Sequence, residues 1–427
     1  MIRFRSWRLV GSAVGVAALA AACSVTGSSS AGPTQNASDG EFVVYSADAP
    51  NVKATQDMLQ ADFGNPNKVT IKMVAYPASD FITQFQNAVR SGSEVDGLIL
   101  NGQHVGFLQS KGLLKPIDDV VDPSTLQPQA IDPFKIDGKL YAAGIGTLNT
   151  SMVAYNKDIM TKYNLVVPKT FDDIKNNVAK LKGSGISLFG FGGATTFQWP
   201  LWFMQMFQQT SGDKPVETTK KTLAGQSPSF TDAPYVEAMR HLQELGASGA
   251  FQPGLMGTAN TAAQADFLAG KSAMYYYGSW VISNFVSSAK FPVDVAQFPA
   301  FVSGATPRPT GGVTGATGIF NNTPANKTDL ARKFVQFLTS VQGDQKVLKT
   351  TPQGFVLPAT KGVPMEKQTP LEATVQTDFG LRSFGFLDWL WPASVTTAFQ
   401  QNIQAVVGQQ KSPEAAMADI DKAFKAG

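Results

Sequence analysis

The sequence predicts an α/β protein built as two lobes. Residues 41–46 (EFVVYS) read as a strand, residues 52–63 carry apolar side chains at helical spacing, and residues 69–73 alternate as a second strand. The short apolar run Gly97–Leu100 (GLIL) is typical of a buried parallel strand. About 390 residues follow the first forty, which is more than one hydrophobic core usually supports, so two lobes are expected.

Strands that alternate with helices place function in the loops after the carboxyl ends of the strands. Three loops follow predicted strands in the first hundred residues of the folded part: Ala47–Pro50, Tyr76–Asp80 and Asn101–His104. These loops are where we expect ligand-binding side chains of the first lobe.

Helix signals recur later in the chain. Thr170 is placed to cap a helix, with Asp173 completing a shortened capping box. Apolar residues at helical spacing over 330–341 predict one long amphipathic helix. Ser412 followed by Pro413 predicts the start of a C-terminal helix.

The N-terminus has the features of an export signal. Arg3, Arg5 and Arg8 precede the small, apolar run 10–22 (VGSAVGVAALAAA), which is too short to span a bilayer. We therefore predict a signal peptide over residues 1–22. The run ends in Ala-Ala-Cys, so Cys23 resembles the lipid-accepting cysteine of a bacterial lipoprotein, although Leu19 lies one place further from it than usual.

Residues 24–40 (SVTGSSSAGPTQNASDG) contain almost no apolar side chains and predict a flexible tether. No later stretch is long and apolar enough to cross a membrane. The expected location is therefore the extracellular face of the bacterial cell membrane, with the lipid of Cys23 as the anchor and 23–40 as lipidated cysteine and tether.

The balanced charge of the exported part argues against a polyanionic partner. Lys and Arg total 35 against 32 Asp and Glu, and without the three arginines of the signal the counts are equal at 32. Nothing suggests a nucleic-acid partner, which would need a basic stripe. The chain has two His and one Cys, so no disulfide, metal site or cofactor is expected.

Five segments resemble, in order, the extracellular solute-binding proteins of family 1, the maltodextrin-binding type that serves ATP-driven sugar importers. The motifs YNKD before PKTFDD, and GKSAM before GSW, occur at the separations of that family. The resemblance implies a type II periplasmic-binding-protein fold, a ligand cleft between the lobes, a monomer, and the permease of an ABC importer as partner. The segments are 96–118, 152–182, 267–285, 331–358 and 408–420.

The resemblance also implies how the chain divides between the lobes. The first lobe is expected over 41–148 plus 300–358, and the second over 149–299 plus 359–427. Crossings are expected near 148–152, 298–300 and 358–361.

A pyranose offers a face of C–H groups to aromatic rings and a rim of hydroxyls to fork-shaped polar groups. Trp280, in the motif Gly-Ser-Trp, is the first candidate to stack on a sugar, since family members place a tryptophan there; a core tryptophan is the alternative. Trp199 follows a loop of small residues that favours exposure. The segment LDWLWP adds candidates in Asp388, Trp389 and Trp391, and Arg382 offers a guanidinium fork.

Polar residues in the first lobe complete the set of candidates. Asp48 follows the first strand, and Asn101 and Gln103 follow GLIL; Gln103 is preferred to His104, because sugar hydroxyls need no titrating group. Asn149 lies at a crossing where the maltodextrin binder has an acid. Gly312 could let backbone amides approach the ligand, or could serve a tight turn.

Two other functions stay open at this stage. An exported carbohydrate-active enzyme needs only two carboxylates close in space, but the chain lacks G-x-S-x-G, H-E-x-x-H and P-loop motifs. The same fold could instead bind an amino acid, peptide, polyamine or metal chelate. The aromatic candidates favour a neutral carbohydrate bound without catalysis, either a monosaccharide or an oligosaccharide.

Overall fold

The computed structural model describes residues 40–47, 52–78, 80–350, 357–364, 369–380 and 382–426. The strands are β1 (Glu41–Ser46), β2 (Thr70–Ala75), β3 (Gly97–Asn101), β4 (Leu114–Lys115), β5 (Lys135–Ile136), β6 (Lys139–Leu140), β7 (Ala143–Asn156), β8 (Ser187–Gly190), β9 (Ser272–Gly278), β10 (Val293–Ala296), β11 (Thr310–Phe320), β12 (Leu357–Pro358) and β13 (Phe384–Gly385).

Helices alternate with these strands. They are α1 (Val52–Leu59), α2 (Asn65–Asn67), α3 (Phe81–Arg90), α4 (Gly102–Ser110), α5 (Lys157–Lys162), α6 (Phe171–Leu181), α7 (Trp199–Thr210), α8 (Pro215–Leu223), α9 (Ala233–Ala247), α10 (Asn260–Leu268), α11 (Ser279–Ser288), α12 (Thr328–Leu338), α13 (Val341–Thr350), α14 (Pro370–Thr374), α15 (Ala393–Val407) and α16 (Pro413–Lys425). Short 3-10 turns include Thr196–Gln198 and Leu387–Trp389, and π turns cover Gln60–Gly64 and Val375–Gly380.

The α/β prediction is confirmed. The sheet runs in the order β2-β1-β3-β11-β7-β9-β8, with β1 parallel to β2 and β3, and β11 antiparallel to β3 and β7. The strand predicted over 41–46 has those bounds, and the GLIL strand extends one residue further, to Asn101.

The sheet of the first lobe is covered on both faces. Side chains of β1 alternate between two hydrophobic clusters: Phe42 and Val44 pack in one with Phe334, whereas Val43 and Tyr45 pack in the other. Such alternation buries both faces of a strand between helical layers.

The second lobe has its own core, built around α7. Trp202 is fully buried and meets the rings of Phe189, Phe191 and Tyr276 edge to face. Helices α9, α15 and α16 close this core from outside.

Buried residues divide into two groups along the chain. The first lobe draws its core from residues 42–148 and 313–359, and the second from 152–298 and 375–420. Strand β7 contributes to both groups, and the start of β11 pairs with β13 of the second lobe.

Contacts of the segment 300–308 lie with the second lobe. The amide of Ala300 donates to the carbonyl of Lys169 (2.9 Å), and Arg308 pairs with Asp213 (3.0 Å). The chain is therefore still on the second lobe at 308, beyond the crossing expected near 298–300, whereas the full division into lobes stays a prediction.

Two of the three helix predictions made from local signals are confirmed, and one is wrong. The capping box of Thr170 and Asp173 is present, and Ser412 with Pro413 starts α16, as predicted. The single helix predicted over 330–341 is wrong: α12 ends at Leu338, and Val341 is 42% exposed at the start of α13.

Within the described ranges, every helix is too short or too polar to cross a membrane.

Candidate functional site

Trp389 connects the two lobes. Its ring packs against the hydrophobic clusters of both, although it belongs to the 3-10 turn Leu387–Trp389 of the C-terminal segment. The indole lies against the backbone of two glycines: a Cβ added to Gly102 would meet its Cζ3 atom at 2.6 Å, and one added to Gly312 would meet it at 3.0 Å. Only residues without a side chain allow this approach.

Two further rings contact this indole. Phe134 of the first lobe stacks on Trp389 with centroids 6.5 Å apart and planes 14° apart. Phe386 lies at 4.9 Å from Trp389 and at 6.5 Å from Trp280. Phe134, Trp280, Phe386 and Trp389 form what we call the ring cluster.

Trp280 is half-buried at the start of α11 and has its own support. Its ring meets Tyr277 edge to face at 5.0 Å. Burial raises the pKa of Tyr277 to about 12, against the opposing effect of hydrogen bonding to Trp280 and Asn260. The hydroxyl of Tyr277 is therefore neutral near pH 7, and the tyrosine ring supports the indole of Trp280 from one side.

Asn149 lies behind the ring cluster and is fully buried. Its Oδ1 accepts from the Ser279 hydroxyl (3.0 Å), and its Nδ2 donates to the Thr147 hydroxyl (3.2 Å). In β-sheet register Asn149 pairs with Gly312. Asn149 thus ties β7 to the residue before Trp280, and in this conformation it is not open to a solute.

The polar candidates after β3 lie beside Gly102. Asn101 caps α4, where its Oδ1 accepts from the amide of Gln103 (3.2 Å), and the side chain of Gln103 is exposed. His104 is buried, stacks on Phe81 at 5.0 Å, and has its Nε2 at 3.0 Å from the carbonyl oxygen of Ala78. Burial lowers the pKa of His104 to about 4, so the ring is neutral near pH 7.

Asp388 precedes the indole of Trp389 and is half-buried as a residue, but its Oδ1 is inaccessible and has no partner among the described atoms. Burial raises the pKa of this carboxyl to about 7, and hydrogen bonds from its own amide and that of Trp389 oppose the rise. A carboxyl of this kind is in part protonated near neutral pH and can then donate a hydrogen bond.

The two other tryptophan candidates are core residues in this structure. Trp199 is fully buried, and its indole donates to the carbonyl of Gly193 (3.0 Å), so the expected exposure of its ring is wrong. The loop of small residues instead exposes Phe197, at 59%. Trp391 is 6% exposed and packs on Phe399.

Arg382 does not join the ring cluster. Arg382 is exposed, and its guanidinium approaches the carbonyl of Pro307 (3.5 Å). Asp48 and Cys23 lie outside the described residues. The structure therefore brings together Trp280, Trp389, Asn149 and Gly312, with Asn101 and Gln103 alongside.

A groove with a cavity volume of about 620 Å³ lies between the lobes, and none of the four rings of the cluster lines it. Asp132 and Lys135 of the first lobe flank Phe134 on one side, and α8 of the second lobe forms the other. Its lining is mixed in charge: Asp132, Lys135, Val216, Glu217, Lys220, Lys221, Ala224 and Gln226.

Sequence reasoning missed Phe134 and Phe386. Phe386 lies two residues before Asp388 in the aromatic segment SFGFLDWLWP, which is a usable signal. Phe134 has none, because its role depends on a contact between lobes. In the described part of the chain, no three His, Cys, Asp or Glu side chains gather as they would to hold a metal ion.

Known proteins resemble this chain in sequence over most of its length. The sequence profile described as bacterial extracellular solute-binding protein matches residues 57–378. The multiple sugar-binding protein of Streptococcus mutans is 24% identical over 367 residues, which cover 84% of each chain. The maltotriose-binding protein of Pyrococcus abyssi is 25% identical over 279 residues, covering 63% of this chain and 56% of that protein.

Solved structures share the fold. A family 1 extracellular solute-binding protein from Bifidobacterium longum subsp. infantis aligns with a TM-score of 0.76 at 17% identity, covering 91% of this chain and 99% of the other. The GacH receptor of Streptomyces glaucescens aligns with a TM-score of 0.70 at 23% identity, covering 91% and 98%. The predicted two-lobed binding-protein fold is thus confirmed.

Proposed function

This chain belongs to the bacterial extracellular solute-binding proteins, and from that premise we propose that it binds a neutral mono- or oligosaccharide reversibly between its lobes. The observation that carries the proposal is the ring cluster: two half-buried indoles, Trp280 and Trp389, lie beside glycine backbone and the polar start of α4. Ring faces suit the C–H face of a pyranose, and amide groups suit its hydroxyls.

The names of similar proteins support a carbohydrate ligand. They include a multiple sugar-binding protein, a maltotriose-binding protein and a chitin oligosaccharide binding protein. These names differ in the sugar, so they favour the class of ligand and leave its length open.

Closure of the lobes is the proposed working step. Contacts from both lobes are made only in the closed state, so a solute that touches both shifts the population toward that state. We propose that the permease of an ABC importer recognises the closed monomer and accepts the solute. The lipid on Cys23 would hold the protein, through the tether 23–40, at the outer face of the membrane.

A thermal-shift screen against neutral saccharides, including raffinose, maltotriose and chitin oligosaccharides, tests the proposal. A solute that binds only the folded protein raises its melting temperature. Calorimetry on the best saccharide then compares Trp389→Ala, which should weaken binding at least about tenfold, with Phe171→Ala. Phe171 is a half-buried ring of the same lobe that stacks on Phe301 instead.

Two outcomes would contradict the proposal. One is a screen in which no neutral saccharide raises the melting temperature. The other is equal loss of affinity in Trp389→Ala and Phe171→Ala, because that would trace the loss to the fold of the second lobe. Incubation with the bound saccharide should leave it intact by chromatography, whereas turnover would indicate an enzyme.

A charged solute is the second candidate, and the groove favours it. Lys135 and Lys220 line the groove and have no ion-pair partner among the described residues. Calorimetry with a uronic acid oligosaccharide beside its neutral counterpart separates the two candidates. Tighter binding of the acid, lost in Lys135→Ala, would favour the charged solute.

Anchoring by Cys23 has its own test. When the full-length gene is expressed in a bacterium, the protein should fractionate with membranes, and Cys23→Ser should release it to the medium or periplasm. Equal distribution of both forms would contradict the anchor.

A further inference from the structure

Asp344 of α13 binds two separate backbone segments with one carboxylate. Its Oδ1 accepts from the amide of Gly146 (2.5 Å), and its Oδ2 accepts from the amide of Thr360 (2.8 Å). The carbonyl of Gly146 in turn accepts from the amide of Ala359 (2.9 Å). Together these three hydrogen bonds connect α13, β7 and the residues after β12 to one another.

The carboxylate has little freedom to move. Asp344 is fully buried, and burial raises its pKa to about 6 while the two amides oppose the rise. No charged group contributes to that shift, so the two N–H donors, with the side chain of Thr360, are what stabilise the negative charge. Losing either donor would leave a buried charge poorly satisfied.

Strand β7 leads from the first lobe to the second, and the described chain after Thr360 packs on the second lobe at Leu371. Strand β7 pairs with β11 and β12 near Gly146, and further along with β9 and β10 of the second lobe. Gly146 has a φ of +72°, and a Cβ there would meet Val347 of α13 at 3.2 Å. The bend at Gly146 is therefore fixed from one side by α13, two residues before Leu148, the last β7 residue in the core of the first lobe.

We propose that Asp344 is the positioning residue of the interlobe hinge: it fixes the direction in which two crossing segments leave the first lobe, and so sets the balance of open and closed states. The proposal rests on the proposed function, because the balance matters only if the lobes close on a solute. Asp344 itself lies in the first lobe, and its side chain hydrogen-bonds to none of the candidate ligand residues that the structure describes.

Distance measurement without a solute tests this role. With Cys23→Ser as background, spin labels at Lys135→Cys and Lys220→Cys report the distance across the groove between the lobes. Asp344→Asn keeps the shape of the side chain but turns one acceptor into a donor that faces a backbone donor. We expect its label-to-label distance distribution to be shifted, or roughly twice as wide as in the wild type.

Asp96→Asn is the matched control. Asp96 is also buried in the first lobe and accepts from a backbone amide, that of Val43 (2.8 Å), but it lies away from the crossing segments. Both variants should lower the melting temperature, and only Asp344→Asn should alter the distance. An unchanged distance in Asp344→Asn would overturn the proposal, because Asp344 would then serve stability alone.

If Asp344→Asn does not fold, the proposal is tested by hydrogen exchange of backbone amides in the wild-type protein. The amides of Gly146 and Thr360 should exchange no more than about tenfold faster than that of Val43. Exchange at the rate of exposed loops would overturn the proposal. Both measurements are made without a saccharide, so a failed ligand screen and a failed hinge test remain distinct results.

Discussion

Trp391 lies face to face on Phe399, with ring centroids 4.0 Å apart and ring planes 9° apart. The pair belongs to the core of the second lobe, and the indole N–H of Trp391 has no acceptor among the described residues. Trp389, two positions earlier, instead reaches the first lobe. One short segment thus supplies one ring to the core and another to the candidate site.

Trp391→Ala should therefore act on stability. Removing a buried indole should cost about 3–5 kcal/mol in free energy of unfolding, measured by urea denaturation. Trp391→Phe keeps the stacking and should cost less. Saccharide affinity of the folded variant should stay at the wild-type value; lost affinity at unchanged stability would identify Trp391 as a ligand contact instead.

Trp280→Ala should weaken saccharide binding at least about tenfold, or 1.4 kcal/mol, because a stacking face is lost. Calorimetry with the best saccharide of the screen measures this. Trp280→Phe keeps part of the face and should show an intermediate affinity. Unchanged affinity in Trp280→Ala would remove this residue from the site.

Gly102→Ala should disturb the indole of Trp389. The added Cβ would meet the indole at 2.6 Å, and the ring has to move because the backbone of α4 is fixed by its helix. We expect weaker saccharide binding and a changed intrinsic fluorescence. Gly112→Ala is unsuitable as a control because of its φ of +66°, whereas Gly257→Ala meets no atom within 4 Å and should leave both readouts unchanged.

His104 should make the protein sensitive to acid. Its pKa is lowered by burial from 6.5 to about 4, so its stabilising contribution is complete above pH 6.5 and is lost as the pH falls toward 4. At pH 5 the loss should be about 2 kcal/mol. Asp344 and Asp388 have raised pKa values, so their protonation stabilises the fold as the pH falls, opposite to the effect of His104. The effect of His104 is therefore isolated by comparing a variant with the wild type.

His104→Phe cannot titrate and retains a ring to stack on Phe81. Its melting temperature should therefore fall less than that of the wild type between pH 7 and pH 5. Parallel pH profiles for the two proteins would show that His104 is protonated without cost to the fold.

Lys327→Met should destabilise the first lobe. The ammonium group lies 2.5 Å from Glu94 and 3.0 Å from the buried carboxylate of Asp96. Its removal leaves Asp96 buried without its cation, which costs about 3–5 kcal/mol for pairs of this kind. Lys53→Met, in the exposed pair with Asp57, is the control and should leave the denaturation midpoint unchanged.

Local and periodic signals in the sequence predicted the fold class and several of its elements. The strand at 41–46, the cap at Thr170 and the start of α16 depend on neighbouring residues alone, so they can be read from short windows. The helix predicted over 330–341 failed because periodicity does not register a two-residue interruption between helices.

The residues of the candidate site could be predicted in part. Trp280 and Trp389 follow from motif and composition, and both lie in the ring cluster. Trp199 looked exposed because small residues precede it, but the chain turns that indole inward and leaves Phe197 outside. Phe134 and Asp344 act through residues more than two hundred positions away, or through backbone amides, and neither relation leaves a pattern in a single sequence.

The core of the second lobe includes α15 and α16, the last helices of the described chain, packed on α7 and α9. This lobe therefore cannot reach its final form until residues 393–425 are present. A nonsense mutation shortly before Ala393 would spare the buried residues of the first lobe and expose the apolar sides of α7 and α9. Such a product would be a target for aggregation and proteolysis, although nearly all of its candidate site remained encoded.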